Sequence, residues 1–141
     1  MILLDTSGLL AAMDASQRSH EACRDALAGA RGPLLLSPFV LAELDHLLAT
    51  RVGIAAELAL LDEVGRGAYQ LESMAAVDVE QARDLVERYR DLDLGLADAS
   101  VVVLATRHGT WDVLTLDERH FRALRGPQGQ VFTIMPGGVS V

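Results

Sequence analysis

At 141 residues the chain has room for one domain with a real core and is short for two. Half the residues are hydrophobic and only 4% aromatic, which calls for a core of Leu, Val, Ala and Ile; the one cysteine, Cys23, excludes an internal disulfide and a cysteine-based metal site and reads as a core thiol. A net charge of −8 argues against a broadly basic nucleic-acid surface, although all 12 basic residues are arginines, the better bidentate phosphate ligands, and carboxylate-held cations can invert a local field.

MILLD is a short apolar run ending in an acid, and SGLLAAM starts a helix. SQRSHEACRDALAGA (16–30) reads as a second helix, with Ser16 at its N-cap and Gly29 or Gly32 near its end. PLLLS (33–37) has a buried-strand pattern, and Pro38 opens the helix PFVLAELDHLLATRV at its first position. A further helix follows Gly53 through IAAELALLDEVG, and AYQLES (68–73) suits a strand. DVEQARDLVERYRDL (78–92) is an amphipathic helix capped by Asp78, and a helix apolar on most sides spans 96–108. WDVLTL (111–116) is a strand, ERHFRAL (118–124) a short helix, and a last strand lies around QVFTIM (130–135). This alternation implies an α/β sandwich with a mostly parallel central sheet, of about four to five strands, flanked by helices. The domain is expected over 1–135, with 136–141 a loose tail. No apolar run reaches the roughly 18 to 20 residues of a membrane span. The N-terminus lacks a basic leader region and is interrupted by Asp5, so a cytoplasmic protein with no membrane partner is expected.

Ligand sites in open parallel sheets lie at the carboxyl ends of the strands. Asp5 ends the first strand and Asp117 directly follows WDVLTL, so the two converge if their strands are neighbours. Either acid can instead act as an N-cap. Glu43 flanks one edge of the stripe Val40, Leu41, Leu44, Leu47 and Leu48, and Asp45 flanks the other; the helical wheel does not choose between them. Asp98 is the most conspicuous, because Val101, Val102, Val103, Leu104 and Ala105 cover most of its wheel. A buried carboxylate must be neutralised, hydrogen-bonded or bound to a cation. Hard oxygen ligands of this kind suit magnesium or manganese rather than zinc. The histidines (His20, His46, His108, His120) are scattered and read as surface residues.

Four segments then fall in order, each contributing one acid: ILLDTSGLLA, SPFVLAELDHLL, LDLGLADASVVVLA and VLTLDERHF. In these the chain resembles the PIN-domain ribonucleases, and among them the VapC-type toxins of bacterial toxin–antitoxin pairs. The resemblance covers residues 1 to about 135 and implies a single PIN-like domain. It places the family's acidic quartet on Asp5, Glu43, Asp98 and Asp117, which chooses Glu43 over Asp45. Asp5 and Asp98 would be metal ligands, with Glu43 and Asp117 binding directly or through water, and Thr6, Ser7 and Thr115 would support them. The implied activity is Mg²⁺- or Mn²⁺-dependent endonucleolytic hydrolysis of RNA (transfer, ribosomal or messenger), leaving a 5′-phosphate and a 3′-hydroxyl and halting growth. The implied partners are a second copy, forming a homodimer, and a small VapB-type antitoxin in a heteromeric complex. The antitoxin would lay a helix and an extended tail along the N-terminal helices. Arg18, Arg24, Arg51, Arg107, Arg119 and Arg122 are candidates to hold RNA, with Arg119 and Arg122 favoured because they closely follow Asp117.

Other readings start from the same acids. A dehalogenase-type phosphatase needs a second acid two residues after the first, and that position is Ser7. A response-regulator receiver uses a lysine, and the chain has none. A non-toxin PIN nuclease of RNA processing would carry the same quartet, whereas a non-catalytic PIN-like binding module would have lost part of it; all four acids are present.

Overall fold

Residues 1–137 are described by the computed structural model, which lays the alternation of apolar runs out as strands and helices in turn. The elements are β1 (Ile2–Leu4), α1 (Thr6–Met13), α2 (His20–Gly29), β2 (Leu34–Leu36), α3 (Pro38–Arg51) and α4 (Ile54–Gly65). They continue with β3 (Gln70–Leu71), α5 (Ala76–Arg88), a 3-10 turn (Arg90–Leu92), α6 (Leu96–His108), β4 (Asp112–Leu114), α7 (Glu118–Ala123) and β5 (Thr133–Met135). The strand order is β3-β2-β1-β4-β5, and every pairing between these strands is parallel. The expectation of four to five mostly parallel strands is met at its upper limit. Of the expected tail at 136–141, Pro136 and Gly137 follow β5 and the remainder lies outside the described residues. No helix among the described residues is long and apolar enough to cross a membrane.

The chain winds outward from β1 to β3, then returns past β1 to β4 and β5. Right-handed crossovers in two directions put helices on opposite faces of the sheet. They also leave a crevice where the winding reverses, between β1 and β4. Leu3 pairs with Val113 and Leu4 with Leu114, so Asp5 and Thr115, the next residue of each strand, emerge side by side at that crevice. Ile2, Leu3, Leu4, Leu35, Leu36, Val113 and Leu114 are all buried, the continuous apolar pattern of strands covered on both faces.

Several element ends differ from the expected ones, for identifiable local reasons. The helix expected from Ser16 starts only at His20, because Asp14 captures both the backbone N–H and the hydroxyl of Ser16 in a turn. Helix α5 begins two residues before Asp78, which sits inside the first turn and accepts the Ala75 N–H at 2.8 Å. It ends at Arg88, and residues 90–92 tighten into the 3-10 turn. The strand expected over 68–73 pairs only at Gln70–Leu71, both exposed at the sheet edge. Ser37 rather than Pro38 caps α3, accepting the Phe39 N–H at 3.1 Å, while Pro38 takes the first helical position as expected.

Helix α6 is central, with Ala97 and Ala99 to Ala105 buried. A buried chain of hydrogen bonds fixes it to β2. Ser37 Oγ accepts from Phe39 N and lies 2.6 Å from Ser100 Oγ, which in turn donates to the Ala97 carbonyl at 2.6 Å. Since a carbonyl only accepts, the Ser100 proton is committed, and Ser37 must donate to Ser100. Cys23 is fully buried, as expected of a core thiol.

On the other side of the crevice α1 passes unusually close to β4. A Cβ at Gly8 would stand 2.5 Å from the Leu114 carbonyl oxygen and 2.8 Å from Leu114 Cγ. Alanine elsewhere in a helix gains up to about 1 kcal/mol over glycine, but here the added methyl meets strand backbone that cannot retreat. Gly8→Ala should therefore destabilise the protein, by about 1–3 kcal/mol, read as a lower urea midpoint with unchanged slope. An unchanged or raised midpoint would refute this close packing.

Candidate active site

Asp5 leaves β1 into the first turn of α1 and is 2% exposed. Its Oδ2 accepts two hydroxyls, Ser7 Oγ at 2.9 Å and Thr115 Oγ1 at 2.6 Å. Each hydroxyl in turn accepts a backbone N–H from the loop after β4: Leu116 N to Ser7 at 2.9 Å and Asp117 N to Thr115 at 2.9 Å. Both hydroxyl protons are thus spent on one carboxylate oxygen, and the 3.1 Å approach of Ser7 to Thr115 joins two groups with no proton left to share. Asp5 Oδ1, buried as well, has no hydrogen-bond partner among the described residues. Burial first, and the nearby Asp98 carboxylate second, push the Asp5 pKa from 3.8 up to about 7 against the pull of the two hydroxyls.

Asp98 sits in the first turn of α6, where the apolar faces of the helix hold it against the sheet. Asp117 is the N-cap of α7 and accepts the His120 N–H at 3.2 Å. Between these acids lies His120, whose Nδ1 is 2.9 Å from Asp98 Oδ2 and 2.8 Å from Asp117 Oδ2. Its Nε2 is 2.6 Å from the Leu92 carbonyl, which can only accept, so Nε2 carries a proton and the ring orientation is set. Burial lowers the His120 pKa, but the hydrogen bond to Asp98 and the charge of Asp117 outweigh it, leaving the imidazolium favoured. Burial likewise raises the Asp98 pKa, opposed by His120.

The surface reading of the histidines fails for His120, while His20 and His108 are partly buried away from the acids. His120 joins the acids, His20 bonds the Ala11 carbonyl at 2.8 Å, and His108 pairs with Glu72. Only His46 is plainly exposed. A signal for His120 was present in the sequence: it stands three residues after an acid that caps a helix, the spacing that returns a side chain to the cap.

Asp5, Glu43, Asp98 and Asp117 line one cavity of about 230 Å³ together with Thr6, Ser7, Leu10, Leu47 and Arg51. Glu43 is exposed on α3. Asp45 does not line the cavity; it lies near Glu57 of α4, whose pKa it raises. Of the supporting hydroxyls, Ser7 and Thr115 bind Asp5, while Thr6 Oγ1 is buried without a partner. Arg119 is exposed and Arg122 pairs with Glu118 at 3.2 Å; neither lines the cavity. Arg51 does.

The donor set fits a divalent cation. Asp5 Oδ1 is a buried acceptor without a donor, and one carboxylate oxygen each from Asp98 and Asp117 lie within 4.8 Å of one another. The pKa shifts make a sign-definite statement. From about pH 4 to about 7 folded Asp5 keeps a proton that the unfolded chain has released, so its contribution to stability is lost as pH rises through 7. The raised pKa values of Asp98 and His120 act in the same direction. The metal-free protein should therefore melt at progressively lower temperature from about pH 5 to about pH 8. Mg²⁺ or Mn²⁺ should restore more stability at the upper end than at the lower, and Asp5→Asn should flatten the slope. A melting temperature indifferent to both ions at every pH would contradict the shared site.

Residues 2–127 match the PIN domain family. Over 135 residues the chain is 47% identical to Ribonuclease VapC26 of Mycobacterium tuberculosis (strain ATCC 25618 / H37Rv), covering 96% of this chain and 100% of that protein. Among solved structures it is similar to Mycobacterium tuberculosis VapC20, a sarcin–ricin-loop-cleaving toxin, with a TM-score of 0.78 and 24% identity over 83% of this chain and 90% of that one. It is also similar to FitAcB from Neisseria gonorrhoeae, with a TM-score of 0.53 and 20% identity over 80% and 85% of the respective chains. The last two likenesses concern the fold, which is the five-stranded parallel sheet described above. A family match over most of the chain, with a relative identical at nearly half its positions, fixes the kinship: the chain belongs to the PIN-domain family, on its VapC branch.

Proposed function

We propose that this protein is a divalent-cation-dependent endoribonuclease, the cytoplasmic toxin of a VapBC-type pair, and that Asp5, Glu43, Asp98 and Asp117 form its active site. The observation that carries the reading is Asp5 Oδ1, a buried carboxylate oxygen without a donor, in a cavity whose other acids are Glu43, Asp98 and Asp117. The ribonuclease name of the 47% identical relative supports the same reaction.

Asp5, Asp98 and Asp117 would hold Mg²⁺ or Mn²⁺, directly or through water; the bound ion would supply Lewis-acid activation of water and stabilisation of the leaving oxygen. The chain's own part is positioning. Ser7 and Thr115 lock Asp5 Oδ2, so that Oδ1 alone is offered to the cavity. His120 ties Asp98 and Asp117 together and anchors both to the Leu92 carbonyl. Glu43, exposed and without an ion-pair partner among the described residues, is placed to orient the water that attacks phosphorus, leaving a 5′-phosphate and a 3′-hydroxyl. Membership of the VapC branch supports a small VapB-type antitoxin as partner and a homodimer as the working form.

Asp98→Asn keeps the shape of the side chain and relieves like-charge repulsion, so it should fold with equal or higher metal-free stability. It should lower RNA cleavage by about a hundredfold or more, an effect of the size seen when a charge-stabilising group is lost. Sequencing new 5′ ends after expression, with and without the neighbouring small open reading frame, measures this. Cleavage that survives both Asp98→Asn and Asp5→Asn would overturn the assignment.

A further inference from the structure

Arg51 is the last residue of α3, two helical turns beyond Glu43 with Leu47 between them, so the three share one face. All three line the acid cavity, and the other charged residues lining it, Asp5, Glu43, Asp98 and Asp117, are carboxylates. Among the described residues Arg51 forms no ion pair, whereas Arg83, Arg90, Arg107 and Arg122 are each matched to an acid. Arg51 thus stands at the end of the cavity away from Glu43, on the same helix face.

Four carboxylates repel a polyanion, and a chain of net charge −8 offers little general attraction for one. A substrate phosphodiester therefore needs a cation fixed to the protein as well as any ion held among the acids. Glu43 and Arg51 are separated by about 12 Å of helix axis. A phosphate reacting among the carboxylates would leave Arg51 facing a neighbouring phosphate of the same strand. Building on the ribonuclease reading above, we propose that Arg51 is a substrate-holding residue, gripping with its guanidinium fork the backbone phosphate that flanks the one cleaved. The site so formed takes a single-stranded RNA backbone and ignores base identity. Arg119 and Arg122, nearer to Asp117 in sequence, do not line the cavity.

An arginine in the last turn of a helix also offsets the helix dipole, and that role alone would affect stability and leave RNA untouched. The two are separated in the cleavage-silenced Asp98→Asn protein, using a fluorescein-labelled single-stranded RNA of about a dozen nucleotides titrated across a range of salt. Arg51→Ala should weaken binding by about tenfold and reduce the steepness of the salt dependence by about one unit. Arg51→Lys should keep the salt slope while recovering only part of the affinity. Arg51→Gln, which preserves length and helix propensity, should behave like the alanine variant and melt like its parent. With Asp98 intact, Arg51→Ala should raise KM far more than it lowers kcat. Affinity and salt slope equal to the parent in both Arg51→Ala and Arg51→Gln would overturn the proposal while leaving the ribonuclease reading in place. Wild-type protein that neither binds nor cuts RNA in the presence of Mn²⁺ would overturn that reading, and this inference with it.

Discussion

Two hydroxyl protons on one oxygen of Asp5 organise this molecule. Ser7 and Thr115 each donate to Oδ2 and each also accept a backbone N–H, from Leu116 and Asp117 respectively, which ties the carboxylate to the loop after β4. The arrangement requires α1 to press against β4 with nothing between, and Gly8 supplies the gap. It also requires β1 and β4 to be neighbours in register, which the reversal of winding direction provides. What results is an asymmetric carboxyl group, with one oxygen saturated and the other buried and unanswered. Oδ1 is the oxygen left without a partner for a further proton or cation.

The rest of the site follows from the same economy of partners. Asp98 is kept near Asp5 by a helix buried almost all round, and Ser100, two residues along, locks that helix to the end of β2. His120 stands between Asp98 and Asp117 with its far nitrogen committed to a carbonyl. The acids are thus held by neighbours that would not suffice to neutralise them, and burial then raises the pKa of Asp5 and Asp98.

Much of this was legible in the sequence, and the remainder failed for physical reasons. The α/β alternation, the position of Asp5 at a strand end, the central helix around Asp98 and the core thiol Cys23 all follow from periodicity and composition. Glu43 and Asp45 could not be separated on the wheel, because both flank the apolar stripe and only the neighbours of α3 distinguish them: the acid cavity for one and α4 for the other. Helix α2 starts after Ser16 because Ser16 donates its N–H and hydroxyl to Asp14 in a turn instead of accepting a helix N–H as a cap. His120 was passed over because a lone histidine carries no sign of burial, and its contact with Asp98 spans 22 residues. Arg51 lines the cavity although it lies far in sequence from Asp5, Asp98 and Asp117, because α3 carries it there.

The bond between Thr115 and Asp5 joins residues 110 apart in a chain of 141. During synthesis the first carboxylate emerges almost at once, while its clamp and the fourth acid come from the last fifth of the chain. A ribosome-bound segment that stops short of β4 contains Asp5, Glu43 and Asp98 but has neither Thr115 to hold Asp5 nor Asp117 to complete the cavity. Long-range pairing of this kind forms late. The cavity is therefore completed only once β4 and the loop after it have joined β1.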